Sequence, residues 1–458
     1  MRKAERNEIK CREQDYKRII AKCPKLYERI MNVAEQIKED SVLDRVYMFV
    51  YIPMLEGFAN WLLKQAVEKK IRRLYFLARD GYQSYLLASK MCEIYGIPVE
   101  CRYLSCSRYA WRIPLYAIQK DMVYEYTCIG GIGVTFRKMM LRAGLSEEEG
   151  KQVAKCLGME ESYGVQLTYR EIKELEKPLR RCEFFLEQVK KKAASMYDKT
   201  IGYLKQEGLM DEIPYAIVDS GWTGGMQKIL RTLIKSAGKK EEIQGFYFGL
   251  YELPENVDSR MFHSYWFGPR KKIRAKVHFS NCLFESVLSA PEGMTESYSY
   301  KENRYIATKG VNAENINREL MERFEELLNC YMKEMDGHCK CFCDEEIDRH
   351  MLQRLIKLHM CKPTVEEAEC FGSIEFSDDV LETQMQQIAQ VYTEQELKRQ
   401  GLFFRILSFL GVRGLEIKES AWLEGSIIRS RCKVHKYLLQ TAMYKYLIYI
   451  RKLFGGML

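Results

Sequence analysis

Apolar residues along the chain fall into two patterns, and their alternation predicts a mixed α/β fold. Short apolar runs bounded by turn residues read as buried strands: Leu74 to Ala78, Val99 to Leu104, Tyr215 to Val218 and Gly245 to Tyr251. Between them, apolar positions recur at helical spacing. One such helix spans about Tyr82 to Tyr95, stopped by Gly96 and Pro98, and another carries Met226, Ile229, Leu230 and Leu233. Strand, helix and strand joined by short connections make the β-α-β unit of a parallel sheet. The unit occurs over residues 71–118 and again from Tyr215 to Tyr251, so the expected core is a parallel Rossmann-like sheet.

The flanks follow helical periods. Residues 1–70 carry apolar positions at Leu26, Ile30 and Val33 and a more apolar run from Val46 to Leu63, which predicts a helical N-terminal region. Charged helical stretches over about 119–210 predict a helical insertion in an α/β core of residues 71–305, and residues 306–458 read as a helical C-terminal region. No internal repeat is visible. Gly130, Gly131, Ile132 and Gly133 follow no clear strand, which argues against a nucleotide loop there.

Composition narrows the classes. With 458 residues, 47% of them hydrophobic, the chain is long enough for two or three domains with substantial cores. Lys and Arg number 72 against 63 Asp and Glu, a net +9 that favours anionic ligands. No zinc-finger, RNA-recognition or homeodomain signature is present, so nucleic acid is not an expected partner. The N-terminus, MRKAERNEIK, lacks the apolar centre of a signal peptide, and no apolar run reaches the roughly 18 residues that would span a bilayer. A cytoplasmic location is therefore expected, with the 16 cysteines as reduced thiols, several (Cys92, Cys101, Cys282) at apolar positions. His338, Cys339, Cys341 and Cys343 lack paired zinc-site spacing, so no zinc is expected. Near the C-terminus, Arg429, Arg431, Lys433, Lys436, Lys445, Arg451 and Lys452 interleave with Tyr437, Leu438, Tyr446, Leu447 and Ile450. This basic amphipathic helix either docks on the core or makes a peripheral contact at the inner membrane face.

The candidate chemistry centres on Asp219. A carboxylate ending a strand, then Ser220, Gly221, Trp222, Thr223, Gly224 and Gly225 before a helix, is how open α/β sheets build phosphate sites. In this reading the N–H groups of Thr223 to Gln227 cradle phosphate, and Asp219 orients sugar hydroxyls or holds a divalent ion such as Mg2+. Trp222 offers a stacking surface for a sugar or base. Arg79, Asp80 and Gly81 form a similar turn after the first strand, and Arg79 and Arg108 supply planar forks for phosphate oxygens. Glu285 and Glu292, flanking Ser289, Ala290 and Pro291, bring a further carboxylate as base or metal ligand. The plainer alternatives are a tight β–α turn at Asp219 and an Arg79–Asp80 pair at a sheet edge.

The same residues carry two resemblances. The Asp219 segment resembles the diphosphate-ribose motif of type I phosphoribosyltransferases: Asp219 matches the first acid, Thr223 the first threonine and Gly225 the glycine. Ser220, Gly224 and Gln227 replace the second acid, second threonine and last threonine, and Arg79 to Gly81 sit where that family keeps its pyrophosphate loop. This implies a phosphoribosyltransferase-like fold over roughly residues 70–300. The chain also resembles bacterial surface-polysaccharide proteins, found in gene clusters with glycosyltransferases and often labelled haloacid-dehalogenase-superfamily hydrolases. FLARDGY (76–82), Ser107-Arg108, VDSGWTGGMQ (218–227), FESVLSAPEG (284–293), VEEAECFG (365–372) and WLEGS (422–426) carry that likeness. It implies a phosphorylated sugar, nucleotide sugar or phosphoribosyl diphosphate as ligand, and glycosyltransferases as partners. An enzyme of glycan assembly, a phosphohydrolase and a non-catalytic binding protein are all compatible with it. A dehalogenase-type site wants an acid two residues beyond its nucleophilic Asp, whereas Asp219 is followed there by Gly221 and Asp80 by Tyr82.

Overall fold

A computed structural model describes residues 3–37, 41–131, 133–310, 312–335, 347–377, 385–409 and 417–453. Ile132 and the cluster of His338, Cys339, Cys341 and Cys343 lie outside them. Five strands, β1 (Arg73–Leu77), β2 (Glu100–Leu104), β3 (Tyr215–Trp222), β4 (Gln244–Leu250) and β5 (Phe262–Phe267), form one sheet in the order β2-β1-β3-β4-β5. Every neighbouring pair is parallel. The expected Rossmann-like α/β core is present, with the chain reversing its direction of travel across the sheet between β1 and β3.

Both faces of the sheet are covered, which explains why its inner strands are continuously apolar. Leu74, Phe76, Ala216, Val218, Phe246 and Phe248 enter one core, and Tyr75, Leu77, Tyr215 and Ile217 enter the other. The helix Tyr82–Tyr95 links β1 to β2 and ends at Gly96, whose φ of +61° suits a residue without a Cβ. The helix Gly225–Ser236 links β3 to β4. Between β2 and β3 the chain makes a run of helices, from Arg108–Leu115 to the long Glu183–Gln206, which packs on the second face through Trp111, Phe136, Met140 and Phe185.

Three features depart from the sequence reading. First, β3 does not stop at Asp219: Asp219 pairs with Tyr247, Gly221 with Gly249 and Trp222 with Leu250. The two glycines permit this, since a Cβ on Gly221 would lie 1.9 Å from the Gly249 carbonyl oxygen. Second, β5 and the antiparallel hairpin of β6 (Thr295–Lys301) and β7 (Arg304–Lys309) are additional strands, with apolar runs of no more than three residues (Tyr265 to Phe267 in β5). Third, the helical stretch Val42–Glu68 is long and apolar enough, by length and composition alone, to cross a bilayer, and 89% of its most apolar part is buried inside the protein.

The terminal helices share the core on the first face of the sheet. Tyr16, Leu26, Ile30 and Val33 meet Phe324, Leu328, Tyr331 and Leu355 there, so this core runs across both expected boundaries, near residues 70 and 305. A buried polar knot ties the regions together. Arg29 donates through Nη2 to Glu56 Oε1 at 2.6 Å and through Nε to the Tyr331 hydroxyl at 3.0 Å, while Tyr331 donates to the other Glu56 oxygen. The described cysteines are free thiols, and the Sγ atoms of Cys92 and Cys101 lie 4.0 Å apart.

Candidate functional site

In an open parallel sheet the crevice beyond the carboxyl ends of the strands opens where the strand order reverses. Here that point lies between β1 and β3. A cleft of about 430 Å3 occupies it, lined by Arg79, Asp80, Arg108, Asp219, Trp222, Thr223, Gly225 and Glu285 among others. The two strand-end motifs, 140 residues apart in sequence, thus share one site.

Asp219 sits within a paired strand, which fixes its direction. The N–H groups of Ser220 and Gly221 hydrogen-bond its carboxylate, yet burial and the nearby Asp80 outweigh them and Arg108, pushing its pKa up to about 8. Glu285 comes from the helix Asn281–Leu288, whose start is capped by Ser280. Its Oε1 accepts the Trp222 indole N–H at 2.5 Å. Burial first, then Asp80, raises Glu285 to about 8 as well, against the pull of Arg108. Two carboxyls that hold protons near neutrality therefore line the same cleft, in a setting where desolvation outweighs a neighbouring cation.

Arg108 opens the helix Arg108–Leu115. Ser107 fixes that start, its Oγ accepting from the Ala110 N–H at 2.9 Å and donating to the Thr295 carbonyl at 2.6 Å. One turn on, Arg112 occupies the same helix face and also lines the cleft. Its guanidinium lies 4.2 Å from the Tyr126 ring centroid, and its Nε is buried without a hydrogen-bond partner. Burial, then repulsion from Arg108, lowers its pKa to about 10. Arg112 was not foreseen from sequence. Its only signal is the four-residue spacing from Arg108, which becomes informative once the helix is known to face the cleft.

Several expected ligand groups serve other ends. Gln227 faces away from the cleft: its Nε2 donates to the carbonyls of Ile243 at 2.7 Å and Met261 at 3.2 Å, and its Oε1 accepts from Tyr247 at 2.6 Å. It ties the helix to β4 and the start of β5. Strand alternation turns the Ser220 side chain into the interior, leaving only its N–H toward Asp219. Gly224 holds the turn at φ +65° beneath the Phe262 ring, and Gly81 precedes the helix Tyr82–Tyr95 against the Leu77 carbonyl. Neither glycine lines the cleft. The Trp222 ring is no open stacking platform, because Tyr251, Phe267, Phe279 and Phe284 pack around it and its N–H is committed to Glu285. Glu292 is held by Lys309 at 2.7 Å and the Tyr103 hydroxyl at 3.0 Å, outside the cleft. Thr223 and Gly225 do line it, at the start of the helix Gly225–Ser236.

Asn281, Asn312, Asn315, Asn317 and Glu314 complete the lining; of these, Asn315 is committed to Ser289 and the Ala290 carbonyl, Asn317 to the backbone of Glu375, and Glu314 to Arg318. Among the described residues no three His, Cys, Asp or Glu side chains are grouped to hold a metal ion. No protein-family model matches the chain, and no curated protein matches it at a significant level.

Proposed function

We propose that the cleft binds a phosphorylated sugar or nucleotide sugar and that the protein acts on the ligand's phosphate linkage in bacterial surface-polysaccharide assembly. The observation that carries this reading is the pairing of two arginines with two proton-holding carboxyls in one cleft at the strand-order reversal. Arg108 and Arg112 answer a phosphate, joined by the N–H groups at the start of the helix Gly225–Ser236. Asn281 and Asn312 answer sugar hydroxyls. Of Asp219 and Glu285, one in its acid form donates a proton to the departing oxygen. The other, ionised, takes a proton from the incoming hydroxyl, so no net proton is consumed. The polysaccharide setting and any glycosyltransferase partner rest on the sequence resemblance alone.

The test is thermal unfolding of the whole chain with glucose 1-phosphate, a uridine diphosphate sugar or phosphoribosyl diphosphate, each with and without Mg2+. A ligand at about one hundred times its Kd adds ~2.7 kcal/mol to stability. The expected result is such a gain for one ligand, lost in Asp219→Asn. If no ligand stabilises the protein, or Asp219→Asn responds as the parent does, the reading fails. Release of inorganic phosphate would select the phosphohydrolase alternative, and binding without turnover the non-catalytic one.

A further inference from the structure

The C-terminal helix Val434–Leu453 docks by one face only. Tyr437 and Thr441 are buried, Lys445 reaches Glu424 at 2.6 Å, and the Tyr449 ring stacks on Tyr251 with centroids 5.7 Å apart. On the opposite face Leu439, Met443, Leu447 and Ile450 are 64%, 47%, 50% and 42% exposed. Their spacing of four, four and three places them in one stripe. The neighbouring helix Leu402–Phe409 is held to it by Arg405, whose guanidinium lies 5.1 Å from the Tyr444 ring centroid. That helix adds Phe403 and Ile406, 68% and 36% exposed. Six apolar side chains on two adjoining helices exceed the scattered exposure of an ordinary surface.

Charge decides what covers this face. The two helices contain Arg405, Lys436, Lys445, Arg451 and Lys452 and no Asp or Glu; Lys445 and Lys452 are paired with Glu424 and Glu252 of the body, which leaves Lys436 beside the stripe. Beside the last turn of the helix, Arg270 and Lys271 line a groove of about 1040 Å3 together with Arg451, Lys452 and the Glu252 that pairs with Lys452. A second copy meeting this face across a two-fold axis would set two helix surfaces that carry no carboxylate of their own against each other, with Lys436 on the stripe side of each. A layer of anionic headgroups complements the cations, and its acyl boundary accepts the stripe.

We propose that this face binds the surface of an anionic lipid bilayer, with the C-terminal helix lying in the plane of the interface. The test is co-sedimentation of the full chain with phosphatidylcholine vesicles, with and without roughly one third phosphatidylglycerol. Binding is expected only with the anionic lipid and is weakened by salt. Lys436→Glu should weaken it at least fivefold, the equivalent of about 1 kcal/mol per cation near the surface. Leu439→Asp combined with Leu447→Asp should weaken it about tenfold or more at unchanged melting temperature, since both positions are exposed. Absence of binding to anionic vesicles by the parent chain overturns the proposal, whatever the variants do. So does a double variant that folds and binds undiminished. Sedimentation equilibrium giving a dimer that the double variant abolishes would assign the face to a second copy instead.

Discussion

The indole N–H of Trp222 donates to Glu285 Oε1 at 2.5 Å, joining the last residue of a sheet strand to a cleft carboxyl that otherwise has burial and Asp80 against its charge. Trp222→Phe keeps an aromatic ring among Phe267, Phe279 and Phe284 but removes that donor. The expected cost is about 1–2 kcal/mol of stability, together with a further rise in the Glu285 pKa. Denaturant unfolding and a carboxyl titration followed by infrared absorption measure the two effects. An unchanged titration would mean that the contact does not control Glu285.

Asp219 and Glu285 hold protons in the native state that the unfolded chain has released, since both are raised to about 8. Stability should therefore fall as pH rises from about 4 to about 8 and level off beyond. Asp219→Asn removes one of these groups, so the variant should match the parent near pH 4 and exceed it by several kcal/mol above pH 8, at about 1.4 kcal/mol for each unit of the shift. Parallel stability curves for variant and parent over this range would contradict the assignment.

Arg112 has a buried Nε without a partner and a lowered pKa, so it adds little to the fold as a charge. Arg112→Met should leave stability equal or slightly higher. The same substitution should weaken an anionic ligand about 10- to 100-fold, the worth of one or two charge-assisted bonds. Calorimetric titration checks the second number, and thermal unfolding the first.

The Arg29–Glu56–Tyr331 knot predicts the opposite balance. Arg29→Leu strips Glu56 of its cation inside the core, with an expected loss of about 3–5 kcal/mol. Replacing Arg29 and Glu56 together by apolar residues should recover much of that loss. A double-mutant cycle in denaturant separates the two cases.

Glycine positions differ as sharply. Gly221→Ala would place a Cβ 1.9 Å from the Gly249 carbonyl oxygen at a φ of +128°, and should destabilise by more than about 4 kcal/mol. At Gly96, also in the left-handed region, a Cβ meets nothing within 4 Å, so alanine should cost only about 1–2 kcal/mol. Melting temperatures of the two variants test the ranking.

The elements readable from sequence were those whose apolar pattern is local. The strand β1, the helix Tyr82–Tyr95 and the strand β4 are each bounded by their own turn residues, and each lies within a residue or so of its expected limits. The end of β3 was misread because Gly221 looks like a turn residue, whereas its function is set by Gly249, 28 positions later. Strand β5, FHSYWF, alternates too weakly to register, and it is recruited by β4 alongside it. In the cleft, Asp80 and Arg108 are legible as polar groups at turns, Asp219 as the acid after an apolar run and Glu285 as the carboxylate before Ser289-Ala290-Pro291. Arg112 and the roles of Gln227 and Glu292 depend on which way a helix or loop turns in three dimensions, which no local pattern encodes.

The extension of β3 through Trp222 gives the cleft two mechanically unlike jaws. Asp219 is clamped between hydrogen-bonded neighbours in the sheet, so its position is as stiff as the ladder around it. The facing side, with Asn312, Asn315, Asn317 and Phe376, comes from turns and a two-residue strand pair. Substitutions on the facing side therefore act on side chains tied into loops, such as Asn317 on the Glu375 backbone, and leave the ladder around Asp219 as it is.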